Sequence, residues 1–130
     1  MHNILLPAGW PRPKGYANGV HAQGQSIIFC GGQIGWTENQ RLECLDFVGQ
    51  VRQALKNILS VLETAVAWPE HMTRMNLYIT NRQSYLDNLL EIGETYRAIM
   101  GKNFPAMSVV EVSALLEEQA LVEIEVTAMK

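Results

Sequence analysis

Cysteine is scarce in this sequence, which contains only Cys30 and Cys44. Two cysteines do not make a disulfide framework, and no CxxC or histidine-rich spacing suggests a metal site. The three histidines lie far apart in different sequence contexts. The sequence therefore predicts no metal and no other cofactor, and its cysteine usage favours a reducing cytoplasm.

Long apolar runs and clusters of basic residues are also missing. No stretch approaches the ~20 apolar residues that a membrane-spanning helix needs. Prolines at positions 7, 11 and 13 interrupt any early segment that could act as a signal peptide. The net charge is −3, and the ten lysines and arginines are scattered, without the basic stripe that phosphate contacts need. We therefore expect a cytoplasmic protein with no membrane or nucleic-acid partner.

The composition is that of one globular domain, which we expect to span residues 1–130, because 48% of the residues are hydrophobic and 18% are charged. The clearest element is a helix over 46–66, where apolar residues recur every three or four positions. Asp46 is placed to cap its first turn, and Trp68-Pro69 is expected to end it.

A second helix is predicted at about 82–100, with Ser84 as a plausible N-cap and Gly101 as its stop. The apolar stripe of this helix is predicted to comprise Leu86, Leu89, Leu90, Gly93, Tyr96 and Met100.

Strands are predicted where short segments alternate or are continuously apolar. Asn18-Gly19 has turn chemistry that suits a hairpin before the first buried strand, and Gly31-Gly32 is expected to form the loop after that strand. The predicted strands are SIIFC (26–30), MTRMNLYIT (72–80), SVVEV (108–112) and the chain end from 121 to 130.

The order of these elements predicts a two-layer α+β fold, because two amphipathic helices can cover only one face of the sheet. On the other face the last strand presents Glu123 and Glu125. The segment 108–112 presents either Val109 and Glu111 or Val110 and Val112. This mixture of apolar and acidic groups favours partial burial by a second chain, and a wet antiparallel face is the alternative. A desolvated carboxylate at a subunit cleft would suit general acid–base chemistry.

Five motifs in order, from about residue 15 to residue 128, resemble the YjgF/RidA superfamily of reactive-intermediate deaminases, which is also described as endoribonuclease L-PSP-like. The motifs are GYANGV, IIFCGGQIG, QVRQALKNILSVL, FPAMSVVEV and VEIEVTA. The resemblance implies a chorismate-mutase-like fold with a mixed sheet and two helices on one face. It also implies a homotrimer with a central β-barrel and small-molecule sites in three inter-subunit clefts.

Site residues follow from the resemblance by position. Glu123 corresponds to the glutamate that positions the hydrolytic water, and Tyr16 to a tyrosine that closes the cleft. Gly31 stands at the serine of the family's SGQ-like loop. The amides of Gly31, Gly32 and Val109 are expected to hold an oxygen of the substrate.

The arginine that clamps the substrate carboxylate in the family is replaced by Met107. A thioether has neither charge nor hydrogen-bond donor, so the loss costs about 2–5 kcal/mol of binding for a small 2-imino acid. Met107 is instead expected to line an apolar part of the pocket. Arg12, Arg74 or Arg97 could supply a substitute positive charge, and the sequence does not show which one reaches the site.

Two functional hypotheses remain open at this level. The first is a deaminase-like hydrolase that acts on an imine, an enamine or a related reactive metabolite, with specificity altered by Met107. The alternative is a non-catalytic trimer that binds a small metabolite or a partner, since Glu123 could also serve only as an interface hydrogen-bonding group. Cys30 is interpreted as a buried thiol, because no histidine neighbours it in sequence. Ribonuclease activity ranks last, because the chain lacks a basic surface and a histidine pair.

Overall fold

Six strands and three α-helices make up the fold in the computed structural model, which describes residues 2–130. A 3₁₀ turn at Pro69–His71 leads into the fourth strand. The strands are β1 (Asn3–Leu5), β2 (Gly19–His21), β3 (Ile27–Gln33), β4 (Met72–Ile79), β5 (Ala106–Glu111) and β6 (Val122–Met129). The helices are α1 (Phe47–Thr64), α2 (Arg82–Asp87) and α3 (Leu89–Met100).

The main sheet has the strand order β3-β6-β4-β5. β6 is antiparallel to both of its neighbours, whereas β4 and β5 are parallel, and β1 and β2 form a separate antiparallel pair. The long helices α1 and α3 pack on each other, and α1 packs on the sheet. The predicted α+β fold with a mixed sheet and its helices on one face is therefore confirmed. β3 and β5 are therefore the two edge strands of this sheet.

The core lies between this sheet and α1, and strand β6 supplies the central part of it. Alternate residues of β6 are at most 2% exposed: Val122, Ile124, Val126 and Ala128. Helix α1 meets them with Val51, Leu55, Ile58 and Leu62, which are equally inaccessible. Burying each large aliphatic side chain contributes roughly 1.5–3 kcal/mol, so the alternation in the last strand fixes its register against the core.

Helix α1 begins as predicted but ends earlier. The carboxylate of Asp46 accepts a hydrogen bond of 2.8 Å from the Gly49 amide, which confirms the N-cap. The end at Trp68-Pro69 was wrong, because Thr64 is the last helical residue and Val66 adopts a left-handed φ of 54°. The Ala67 amide then bonds back to the Leu62 carbonyl, a closure typical of helix ends.

The second predicted helix is divided at Asn88, whose ψ of 22° interrupts the helical backbone. The N-cap is Asn81, which accepts a hydrogen bond from the Ser84 amide at 3.0 Å, so the prediction of Ser84 was wrong. Gly101 ends α3 with φ 67°, as expected. Within residues 2–130, none of the helices combines the length and apolar character that crossing a bilayer requires.

The predicted apolar stripe of this second helix was also wrong in part. The residues that it buries are Ile92, Thr95, Tyr96 and Met100. Three of the predicted leucines are exposed: Leu86, Leu89 and Leu90. Leu86 belongs to α2, which Asn88 separates from α3, whereas Leu89 and Leu90 begin α3 ahead of its first buried residue, Ile92.

Two loop predictions near the N-terminus were wrong because long-range strand pairing overrides the local turn chemistry. Asn18-Gly19 does not form a hairpin turn, since Gly19 begins β2 and pairs with Leu5 of β1. Gly31-Gly32 does not form a loop either, because β3 continues through both glycines to Gln33. A register shift between Cys30 and Gln33 accommodates the two glycines as a bulge.

Candidate functional site

The helix-free face of the sheet carries a cluster of polar side chains from β4 and β6. Asn76 lies opposite Glu125 in the strand register, and Tyr78 lies opposite Glu123. The Tyr78 hydroxyl donates a hydrogen bond of 2.6 Å to Glu125 Oε1, and the Asn76 amide donates one of 3.1 Å to the same oxygen. Glu125 is therefore held in place by two donors from the neighbouring strand.

These hydrogen bonds change the acidity of both partners. The hydrogen bond from Tyr78 lowers the pKa of Glu125 below its usual range, and the one from Asn76 adds to the effect. The same bond raises the pKa of Tyr78, since ionised Glu125 stabilises the neutral phenol; desolvation and the negative charges of Glu125 and Glu123 act in the same direction. Glu125 is thus an ionised acceptor, and its Oε1 already accepts two hydrogen bonds.

Glu123 has different surroundings, although it lies only two residues away on the same face. Its carboxyl group packs against Gly32 of β3, where a Cβ atom would lie 2.7 Å from the carboxyl carbon and 2.8 Å from Oε2. Among residues 2–130, no group donates a hydrogen bond to its side chain. Glu123 is half-buried, so its carboxylate has free acceptor sites for a water molecule or a ligand.

The two glycines of the β3 bulge differ in the space around them. Nothing lies within 4 Å of a Cβ atom built on Gly31, whereas Gly32 is in contact with Glu123. Gly32 therefore allows close approach of the carboxylate to the edge-strand backbone. Gly31, Gly32 and Glu123 form one cluster, which we call the β3-edge half-site.

The remaining predicted residues, Tyr16, Met107 and Val109, lie together at the opposite edge of the sheet. They line a cavity of about 640 Å³ between β5 and helix α3. Tyr16 reaches this edge because the next residue, Ala17, donates a backbone hydrogen bond of 2.9 Å to the Pro105 carbonyl, immediately before β5. We call Tyr16, Met107 and Val109 the β5-edge half-site.

The cavity is mostly apolar, and Met107 is one of the side chains that line it. Of the three arginines proposed to replace the missing guanidinium, Arg97 lines this cavity, together with Lys14. Arg12 lines a separate cavity near the N-terminal strands. Arg74 projects on the helix-free face, opposite Thr127 in the strand register. The apolar lining of the cavity includes Leu55, Met75, Leu77, Ile92, Phe104 and Ile124.

The two half-sites do not meet within one chain. Met107 and Val109 share the helix-covered face with the buried Met75 and Leu77, whereas Glu123 projects from the helix-free face. Strands in a sheet are about 4.8 Å apart, so β5 lies roughly 10 Å from β6 and 14 Å from β3. One chain therefore presents the two halves at opposite edges and on opposite faces.

Asn76, Tyr78 and Lys14 were not predicted from the sequence as members of these clusters. The alternation of 72–80 does put Asn76 and Tyr78 on the side opposite the core. Their contact with Glu125 depends on β4 lying beside β6, and strand order is not contained in a local pattern. Within residues 2–130, no three His, Cys, Asp or Glu side chains are grouped to hold a metal ion.

The fold and the clusters define an α+β protein with a two-layer architecture, an acidic cluster toward the β3 edge of the sheet and an apolar cavity at the β5 edge. The family model "Endoribonuclease L-PSP" matches residues 11–130. A RutC family protein of Aquifex aeolicus is 34% identical over the full length of both chains. The chain therefore belongs to the endoribonuclease L-PSP family, in agreement with the resemblance to the YjgF/RidA superfamily.

Solved structures agree with this assignment. A protein of unknown function of the conserved Rid family from Yersinia pestis, YyfB, superimposes with a TM-score of 0.88 at 28% identity, covering 99% of this chain and 98% of that one. A second Rid family protein of the same organism, YyfA, has a TM-score of 0.69 at 32% identity over both complete chains.

Replacing Tyr78 with Phe is expected to raise the pKa of Glu125 toward its usual value, because the stronger of its two donors is lost. A carboxylate with a lowered pKa stabilises the fold above its ordinary pKa, and this stabilisation disappears as the pH falls through the lowered value. The variant should therefore be less stable than wild type at neutral pH, and the difference should vanish in acid. Carboxyl ¹³C NMR titration and urea unfolding measure both effects. Tyr85→Phe is the control, and an unchanged Glu125 titration in Tyr78→Phe would contradict the assignment.

Replacing Gly32 with Ala is expected to displace the Glu123 carboxyl group, because the new methyl group would overlap it. Rotation of Glu123 should limit the loss of stability to about 1 kcal/mol. Gly31→Ala is the matched control and should change stability by less than about 0.5 kcal/mol, since space is open there. The Glu123 carboxyl ¹³C shift and thermal unfolding report the two effects. Equal responses in both variants would argue against the contact.

Proposed function

We propose that this protein is a cytoplasmic deaminase-like hydrolase that acts on an imine, an enamine or a related reactive metabolite in inter-subunit clefts of a homotrimer. Family membership supports the general class of reaction. Two unpaired cysteines, Cys30 and Cys44, are consistent with a reducing compartment. Met107 gives the cleft an apolar wall in place of a charged one, so the substrate differs from a small 2-imino acid.

The observation that carries this proposal is the contrast between the two glutamates of β6. Glu125 is engaged by Tyr78 and Asn76, whereas Glu123 keeps its acceptor sites free beside the glycine bulge. A general base must be able to reach the proton that it removes, directly or through a water molecule. Glu123 meets this requirement with both oxygens, whereas Glu125 has Oε1 engaged by two donors and a lowered pKa, which makes it the weaker base.

The chemistry follows from this assignment. Glu123 accepts a proton from a water molecule as the water oxygen attacks the carbon of the C=N bond. The amides at the glycine bulge hold an oxygen of the substrate in position. The proton then passes from Glu123 to the nitrogen, which gives a carbinolamine. Glu123 next accepts the hydroxyl proton and returns it to the nitrogen as the C–N bond breaks, so ammonia leaves a carbonyl product. Water supplies the oxygen and both hydrogens, so no further reactant is required.

In the proposed homotrimer the site is completed between subunits, because a cyclic assembly brings the β3 edge of one chain to the β5 edge of the next. Rings form when two different surfaces of the same chain contact each other head to tail and the rotation closes. The β3 edge has the apolar side chains for such a contact, since Phe29 is 76% exposed and Ile27 is 53% exposed on the helix-free face. Each cleft then combines Glu123 of one subunit with Tyr16 and Met107 of its neighbour.

Replacing Glu123 with Gln is expected to reduce ammonia release from freshly generated imines by about 100-fold or more, since the general base is lost. Substrates with and without a carboxylate are compared in a coupled ammonia assay. Glu118→Gln, an exposed change in the connector before β6, is the control. If the wild-type protein releases no ammonia from any of these imines, the non-catalytic binding protein is the better hypothesis. Equal rates in wild type and Glu123→Gln would remove Glu123 from the mechanism.

Mixed trimers test whether the site is shared between subunits. Glu123→Gln and Tyr16→Ala each damage a different half-site, so a trimer that contains both variants regains some intact clefts. Random mixing in equal amounts should restore about a quarter of wild-type activity. The measurement compares the co-expressed, purified mixture with the two variants assayed separately. Activity no higher than their mean would show that both residues act within one chain.

A further inference from the structure

Arg97 lies on the wall of the apolar cavity that contains Met107 and Tyr16. Long side chains on a helix lean toward its N-terminus, over the residue four positions earlier. Here that residue is Gly93, and Arg97 Nη1 lies 3.2 Å from the position that a Cβ atom on Gly93 would occupy. The missing side chain at Gly93 therefore leaves room for the guanidinium group against the cavity wall.

The charged side chains that line this cavity are positive. Arg97 and Lys14 contribute to its lining, and no aspartate or glutamate of residues 2–130 does. The guanidinium donates no hydrogen bond within the described part of the chain, so its planar fork of N–H donors is available. A protein with a net charge of −3 thus carries, at this apolar cavity, an exposed guanidinium that forms no ion pair within residues 2–130.

The shape and lining of the cavity define what this group can bind. A volume of about 640 Å³ lies within the range of sites for drug-sized ligands and exceeds what a two- or three-carbon acid would fill. The surface is mostly apolar side chain, with the positive charge at helix α3. Such a site fits a molecule with a bulky apolar body and an anionic group at one end.

We propose that Arg97 binds the carboxylate of the ligand, and that the ligand is an acid with a bulky apolar body that fills the cavity beside Met107. This inference deepens the proposed function, because the cavity is the β5-edge half of the same site. Arg97 is then a specificity residue, since it selects the charged end of the substrate while Glu123 acts on the reacting bond. Lys14 adds positive charge to the same cavity.

Direct binding tests this proposal without any turnover. 4-Phenylbutyrate, its uncharged amide and acetate are titrated into the intact protein by calorimetry at low and at high salt. The acid should bind at least about tenfold more tightly than the amide, because charge-assisted hydrogen bonds are roughly this much stronger. Acetate should bind more weakly than 4-phenylbutyrate, and added salt should weaken the acid but not the amide.

Variants then identify the residue responsible. Arg97→Gln should reduce the affinity for 4-phenylbutyrate about tenfold and leave the amide unchanged, while Arg97→Lys should recover only part of the loss. Arg52→Gln removes an exposed arginine of α1 that lines none of the cavities described above, and it should behave as wild type. Thermal unfolding and particle size confirm that each variant is folded and assembled as wild type is.

The results that would overturn the proposal are distinct from those that would overturn the function. Absence of binding by 4-phenylbutyrate, equal affinities for acid and amide, or an unchanged affinity in Arg97→Gln would each refute the role of Arg97. Binding that depends on Arg97, together with no ammonia release from any imine, would leave the anion site standing and refute the hydrolase. Ammonia release that is unchanged in the Arg97 variants, together with no binding of 4-phenylbutyrate, would refute the role of Arg97 and leave the hydrolase standing.

Discussion

The pairing of β6 between β3 and β4 is the constraint on which the rest of the structure depends. Its register places Val122, Ile124, Val126 and Ala128 against α1 and leaves the intervening glutamates on the other face. A slip by one residue would exchange the two sets and bury two carboxylates without partners, at a cost far above what the core could offset. The same register therefore determines both the stability of the domain and the position of its acidic groups. Because the strand is central, the register is fixed from both sides.

Two carboxylates on one strand acquire different properties from their neighbours rather than from their own chemistry. Glu125 meets Tyr78 and Asn76 on β4, and these donors lower its pKa and occupy its oxygen. Glu123 meets Gly32 on β3, which contributes no side chain and so permits contact without hydrogen bonding. Glu125, which accepts two hydrogen bonds from β4, contributes to the framework. Glu123, whose side chain accepts none among residues 2–130, is the one available for a ligand. This division follows from strand order, since β3 and β4 flank β6 on opposite sides.

The parts of the fold that the sequence predicted well are those that depend on one segment at a time. The periodicity of α1, the cap at Asp46 and the alternation of β4 and β6 are local and were confirmed. Asn18-Gly19 failed as a turn because Gly19 pairs with a strand fourteen residues away in sequence. Leu89 and Leu90 failed as core residues because they form the first turn of α3, where no other part of residues 2–130 covers them. The same holds for the candidate site. The motifs predicted which residues belong to it, but only the strand order shows that these residues are divided between the β3-edge and the β5-edge half-sites. The sequence likewise offered Arg12, Arg74 and Arg97 as equivalent candidates, and only the folded structure places Arg97, rather than Arg12 or Arg74, at the cavity that contains Met107.

The division into half-sites also has an electrostatic consequence. In the proposed mechanism Glu123 is the base, and a carboxylate base repels an anionic ligand that enters the same cleft. In a protein of net charge −3, that repulsion acts over about 8–10 Å at physiological ionic strength. A cation at the far end of the ligand offsets it, and the apolar wall around Met107 strengthens the effect by excluding water. In the proposed site the positive charge of Arg97 lies on α3 rather than on β5, so the ligand carboxylate binds at the helix side of the cavity instead of at Met107. Under this proposal Met107 and Gly93 act together, because Met107 keeps its part of the cavity apolar and Gly93 leaves room for the guanidinium of Arg97.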